Sequence, residues 1–197
     1  MSAESIVLIN AAIARAQDNP ITSVDDGTVE AILASTNYEQ IVQTALSEAP
    51  WSFARKTDAC TLLPDAPVDE DFSFALTLPS DVLKLLTIIV NGQPIEYQLD
   101  EDGVVLSNTD EDVYAVYTYR AAEDLWPADF KEGIICRLEA LYLRADKKPN
   151  DANEAEGRAE RKFARARFQD SKQKFPKDVK TSPLIDARRL GSAPRRM

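Results

Sequence analysis

Apolar residues recur every three or four positions through the first 48 residues, every second position in the middle of the chain, and every three or four again from residue 128 onward. Residues 4–17 carry Ile6, Ile9, Ile13 and Ala16, one stripe of an amphipathic helix, and Asp18-Asn19-Pro20 ends it. A second helix is predicted over 28–48, with Ser23 and Asp26 as candidate caps. Its apolar face changes side along its length. Val29, Ile32 and Leu33 point one way, whereas Tyr38, Ile41, Val42, Ala45 and Leu46 centre on nearly the opposite side. Either the helix breaks near Ser35-Thr36-Asn37 or it is buried between two partners, one of which could be a neighbouring subunit. From 58 to 120 the period drops to two. Phe72, Phe74, Leu76 and Leu78 alternate with smaller or polar residues, and Leu83 to Val90 is rich in β-branched residues. Asn91-Gly92 then marks a hairpin, because both turn positions need positive φ, and Asp102-Gly103 offers a second tight turn. The segment reads as an antiparallel meander of four to six strands. Helical spacing returns with Phe130, Ile134, Leu138, Leu141 and Tyr142 over 128–146. After a short Pro149-Asn150 connection a last helix is predicted over 152–174. Its inner stripe is Ala152, Ala155, Ala159, Phe163 and Ala166, and small residues there allow close helix approach.

The predicted fold is α+β: mainly an α-helical bundle, with an inserted small antiparallel β-meander and an extended C-terminal tail. Residues 1–57 and 121–176 form the bundle, 58–120 the inserted β subdomain, and 177–197 a basic tail. Trp51 and Phe53 precede the strands, and Trp126 and Phe130 follow them. These rings are expected to seal the joint between bundle and sheet.

Composition then narrows the chemistry. The 197 residues include no histidine, which removes imidazole bases, histidine triads and histidine-ligated metals. Cys60 and Cys136 are far apart and read as two reduced thiols. Nucleotide-binding glycine loops and the common hydrolase and metalloprotease motifs are absent, so no cofactor or metal is predicted. No apolar run approaches the roughly 20 residues of a membrane span, and no signal peptide is evident. Carboxylates are abundant in Asp69-Glu70-Asp71, Asp100-Glu101-Asp102 and Asp110-Glu111-Asp112. A polysaccharide hydrolase would need two of them in a cleft with split pKa values. They fall in predicted turns, where solvated acid is the default.

Charge is distributed unevenly. The net formal charge is −10, yet residues 156–197 hold thirteen Lys/Arg and five Asp/Glu, a net of +8, so residues 1–155 carry −18. An acidic body with a basic end reads as an interaction tail. The last helix presents Arg158, Arg161, Lys162, Arg165, Lys172 and Lys174, so a DNA-binding module using this face is a second alternative. The −18 body opposes it by repelling DNA from most approaches. On its own, 177–197 is expected to be disordered and to order on a partner.

The order of these features resembles a known family. It runs short helix, long helix, Pro50-Trp51-Ser52-Phe53-Ala54, strands with Leu78-Pro79-Ser80-Asp81, and Trp126-Pro127-x-x-Phe130 opening a helix pair. A basic tail containing Ser182-Pro183-Leu184-Ile185-Asp186-Ala187-Arg188 closes it. This resembles the phage head–tail adaptor proteins called tail tubular protein A in short-tailed phages, over nearly the whole chain. One departure is Asn37-Tyr38-Glu39-Gln40, where the family would have a Tyr-Pro type sequence. The resemblance implies a virion protein without catalytic activity, in a homo-oligomeric ring of 12 copies at the head–tail junction. Its partners would be the portal protein and a downstream tail or nozzle protein, with DNA passing through the channel without specific binding. The tail would reach the portal. Arg188, Arg189, Arg195 and Arg196 are the leading portal-binding candidates, and the Arg158, Arg161 and Arg165 face is second.

Overall fold

Ser2 starts the first helix by reciprocal capping: its Oγ accepts from the Ser5 amide at 3.1 Å, while the Ser5 hydroxyl accepts from the Ser2 amide at 2.8 Å. In a computed structural model, which describes residues 2–173 except 66, 68 and 70, this helix is α1, Ala3–Ala16. Helix α2, Val29–Ser47, follows, and its cap differs from expectation. Thr28 Oγ1 accepts from the Ala31 amide at 3.2 Å, while Asp26 turns back to accept from the amides of Thr22 and Ser23 at 2.7 and 2.9 Å. Helix α2 does not break at Ser35-Thr36-Asn37; Thr36 and Asn37 instead donate to carbonyls one turn back, at 2.8 and 2.9 Å. It buries Ala31, Ala34, Tyr38, Val42, Ala45 and Leu46 on one face. Val29 and Ile32, 67% and 56% exposed, are left facing solvent.

The α+β reading holds, with eight strands in two antiparallel sheets. The strands are β1 Arg55–Ala59, β2 Thr61–Leu62, β3 Phe74–Thr77, β4 Val82–Val90, β5 Gln93–Pro94, β6 Gln98–Leu99, β7 Val105–Ser107 and β8 Val113–Tyr119. One sheet has the order β1-β8-β4-β5 and the other β2-β3-β7-β6. The strands therefore do not succeed one another as a meander: β8 inserts between β1 and β4. The strand that leaves the first helices and the strand that returns to the later ones are thus hydrogen-bonded neighbours, Arg55 opposite Thr118 through Ala59 opposite Tyr114. The Asn91-Gly92 turn has φ of 50° and 76°, as its hairpin chemistry requires. At the second turn, Asp100 Oδ1 accepts from the amides of Asp102 and Val104, and Gly103 takes φ 76°. Leu76, Ile88, Val105, Val113, Ala115 and Tyr117 form the apolar cluster between the sheets.

Helices α3, Ala128–Ala145, and α4, Pro149–Gln173, form an antiparallel hairpin. Helix α4 starts three residues earlier than the spacing predicted. Pro149 serves as its first residue, where a missing N–H costs nothing. All five residues of the predicted inner stripe are buried. Gly133 of α3 sets the closeness of approach: a Cβ there would lie 2.7 Å from the Phe163 ring. Gly133→Ala is therefore expected to destabilise the chain by about 1 to 2 kcal/mol, as overpacking outweighs the gain in helix propensity. The urea midpoint should fall; a rise, as an exposed helical glycine would give, would contradict this contact.

The four flanking aromatics do lie at the joint, and a fifth joins them. The Phe130 ring sits 5.0 Å from Trp51 and Phe53, 5.2 Å from Trp126 and 5.4 Å from Phe163, all tilted toward edge-on contact. Both indoles are satisfied, Trp51 Nε1 by the Ala45 carbonyl at 2.9 Å and Trp126 Nε1 by the Ala121 carbonyl at 3.0 Å. Tyr119 at the end of β8 packs against both the helical and the sheet clusters.

Candidate functional site

The basic face of α4 is partly used by its own neighbour. Small inner residues bring α4 so close to α3 that flanking arginines reach the carboxylates of α3. Arg158 Nη2 donates to Glu139 Oε1 at 2.6 Å, and Arg165 Nε lies 3.1 Å from Asp129 Oδ2, with Lys162 at 4.0 Å from the same carboxyl. Glu139 is only 5% exposed, so its bond to Arg158 holds a charge inside the hairpin. Arg161 is exposed and has no ion-pair partner among the described residues. Phe168, 59% exposed, carries Lys172 Nζ over its ring at 4.2 Å. The predicted portal-binding face is thus divided: Arg161 is presented to solvent, Arg158 is bound to α3, and Arg165 is half committed. Arg188, Arg189, Arg195 and Arg196 lie outside the described residues, as does the rest of the predicted tail, 177–197.

Two carboxylates do converge in the β region, though not in the acidic runs that the sequence singled out. Asp58 on β1 and Asp81 before β4 both reach the Tyr117 hydroxyl, at 2.7 and 2.6 Å, and both accept from Lys56 Nζ at 2.9 Å. The hydroxyl has one proton to share between them. The Lys56 hydrogen bond holds the Asp58 carboxyl below its ordinary range, and the Tyr117 hydrogen bond does the same for Asp81. Hydrolysis by two carboxylates needs one of them held protonated as the acid. Here both are pushed the same way, so the pair lacks the required split. Its geometry is that of a clip joining β1 to the turn before β4.

A buried carboxylate ties the other corner. Glu123, in the short turn Glu123–Leu125, accepts from Arg120 Nη2 at 2.7 Å, Tyr38 Oη at 3.0 Å and Ser2 Oγ at 3.2 Å. Burial disfavours its charge, but the hydrogen bonds from Arg120, its own backbone and Tyr38 win, leaving the carboxyl below its ordinary value. Arg120 also reaches Glu39 at 2.8 Å and lies over the Trp126 ring at 5.2 Å. One network therefore fixes α1, α2 and the β8–α3 link together.

The largest helical cleft, about 560 Å³, lies between α2 and α4 over α3. Its floor is Ile41, Thr44 and Leu141. Its charges pair across it, Arg137 with Glu48 at 2.6 Å and with Glu160 at 2.8 Å, and Arg144 with Glu156 at 2.7 Å. No group of three or more acid or cysteine side chains suited to a metal is found among the described residues. No helix among them is long and apolar enough to cross a membrane. Cys60 and Cys136 are free thiols.

No family model and no curated protein matches this chain. Function is therefore argued from the residues alone and from the resemblance they carry.

Sequence reading did not find the clip or the Glu123 network. Their members are ordinary residues 23 to 121 positions apart, as in Asp58 to Asp81 and Ser2 to Glu123, and no local pattern joins them. The one available signal was their position at the joints between the helical and β segments.

Proposed function

We propose that the chain is a structural head-to-tail adaptor of a phage particle. Copies assemble into a ring of 12 that joins the portal protein to a downstream tail or nozzle protein and forms part of the DNA channel used in genome retention and ejection. The protein resides in the virion at the head–tail junction.

The observation that carries this reading is the segregation of charge. Residues 1–155 hold a net −18 and residues 156–197 a net +8. Within the basic part, Arg158 and Arg165 answer to Glu139 and Asp129 of the same chain. Arg188, Arg189, Arg195 and Arg196 are left as the cationic docking set, with Arg161 as the accessible member of the second set. Arginine suits carboxylate pairing because its planar fork donates two parallel bonds, and an acidic portal surface is the complementary partner. An acidic wall releases no counterions from DNA, so a duplex slides past it without being held. In the ring, Val29 and Ile32 are a contact between copies. The partial neutralisation of α4 by α3 counts against the duplex-binding alternative, and the unsplit Asp58–Asp81 pair counts against the hydrolase.

Cross-linking intact particles that carry this chain tests the proposal. Lysines 177 and 180 should link to the portal protein. Recovery of the chain outside the particle only, or linked to no virion protein, would contradict it.

A further inference from the structure

Strand β1 has one open edge. It pairs only with β8, and all of its residues but Asp58 are exposed. The Cys60 amide donates to the Val113 carbonyl of the loop before β8's first pair partner, at 2.9 Å. Backbone groups alternate sides along a strand, so Asp58 and Lys56 also turn theirs to β8, while Thr57 and Ala59 turn their N–H and C=O groups outward. Such an edge is a template for another strand unless it is guarded. Lys56 and Asp58 are the guards here. An added strand must carry an opposite charge beside each, because like charges side by side are unfavourable.

Helix α4 ends beside the start of this edge. Asp170, in its last turn, accepts from both the amide and the hydroxyl of Ser52, the amide at 2.9 Å, and β1 begins three residues later at Arg55. The chain beyond Gln173 therefore sets out from the beginning of β1. Residues 177–182, Lys-Asp-Val-Lys-Thr-Ser, are a proline-free stretch bounded by Pro176 and Pro183, about the length of β1, with β-branched Val179 and Thr181 in alternation. The four residues from Gln173 to Lys177 span up to about 14 Å, enough to reach the edge.

We propose that residues 177–182 add to the open edge of β1 within the same molecule, as a strand parallel to it. Running in the same direction, the segment places Asp178 beside Lys56, Lys180 beside Asp58 and Val179 beside Thr57. Both guards then meet opposite charge, and the outward amides of Thr57 and Ala59 gain partners. Residues 183–197, with all four tail arginines, remain beyond the strand. The proposal does not depend on the portal reading.

Amide hydrogen exchange on the 197-residue chain tests it. Thr57 and Ala59 should exchange about tenfold or more slowly in the intact chain than in a chain ending at Pro176. Val179→Pro should abolish that protection, because proline removes a strand donor. Lys180→Glu should weaken it, whereas Lys174→Glu, the same charge change outside the segment, should not. Unchanged exchange in α3 amides controls for loss of fold. Equal exchange of Thr57 and Ala59 in the intact, truncated and Val179→Pro chains would overturn the proposal. Protection that rises with protein concentration would also overturn it, because the donor would then be a second copy.

Discussion

Phe130→Ala is expected to cost about 3 to 5 kcal/mol of folding stability, the range for a buried aromatic truncated to alanine. Phe130 is fully buried and is the hub of five rings drawn from three parts of the chain: Trp51 and Phe53 before the strands, Trp126 and Phe130 after them, and Phe163 on α4. Removing it loses the transfer energy of the ring, leaves a cavity, and ends four edge-on contacts at once. The neighbours cannot close in freely. Both indoles are held by hydrogen bonds to backbone carbonyls, and Phe163 is pressed against Gly133. A domain of this size has a total stability of about 5–15 kcal/mol, so a third or more is at stake. The urea midpoint should fall with little change in slope. Phe130→Leu should retain much of the loss, since most of the volume is replaced. An alanine variant within about 0.5 kcal/mol of the parent, the range of neutral surface changes, would mean that the rings do not carry the joint.

Much of this architecture was legible in the sequence because it is local. Spacings of three and four located all four helices, and the alanine stripe of α4 named its buried face correctly. Asn91-Gly92 gave its hairpin, because only a few residue types tolerate positive φ at both turn positions. The pairing of β8 between β1 and β4 was not legible, because nothing local selects between partners some 60 residues apart. The cap of α2 was misplaced for a related reason. Asp26 and Thr28 are both good caps, and the choice fell on the one whose oxygen was not already taken by the loop amides of Thr22 and Ser23.

The candidate site shows the same division. Composition disclosed that positive charge gathers at the C-terminal end. It did not disclose that Asp129 and Glu139 of α3 wait opposite Arg165 and Arg158, because that depends on how closely two helices approach. Likewise, the acidic triplets were conspicuous as sequence, yet Asp100 serves as a turn former. The carboxylates that meet, Asp58 and Asp81, stand alone in the sequence.

Truncation after Pro176 is expected to abolish capture by a portal ring while leaving the helical core intact. It removes Arg188, Arg189, Arg195 and Arg196 with a net of +4, and touches none of the described core. Losing several charge-assisted pairs at once, each worth about 1.5 to 3 kcal/mol, would carry a micromolar complex beyond detection. Replacing the four arginines by lysine should weaken capture without ending it, since charge is kept and bidentate geometry is lost.

Light scattering of the purified chain, with and without a portal ring, bears most directly on the adaptor proposal. The intact chain should add mass to the portal ring in a saturable way, up to 12 copies, and the chain ending at Pro176 should add none. Equal loading by both chains, or no loading by the intact one, would contradict it.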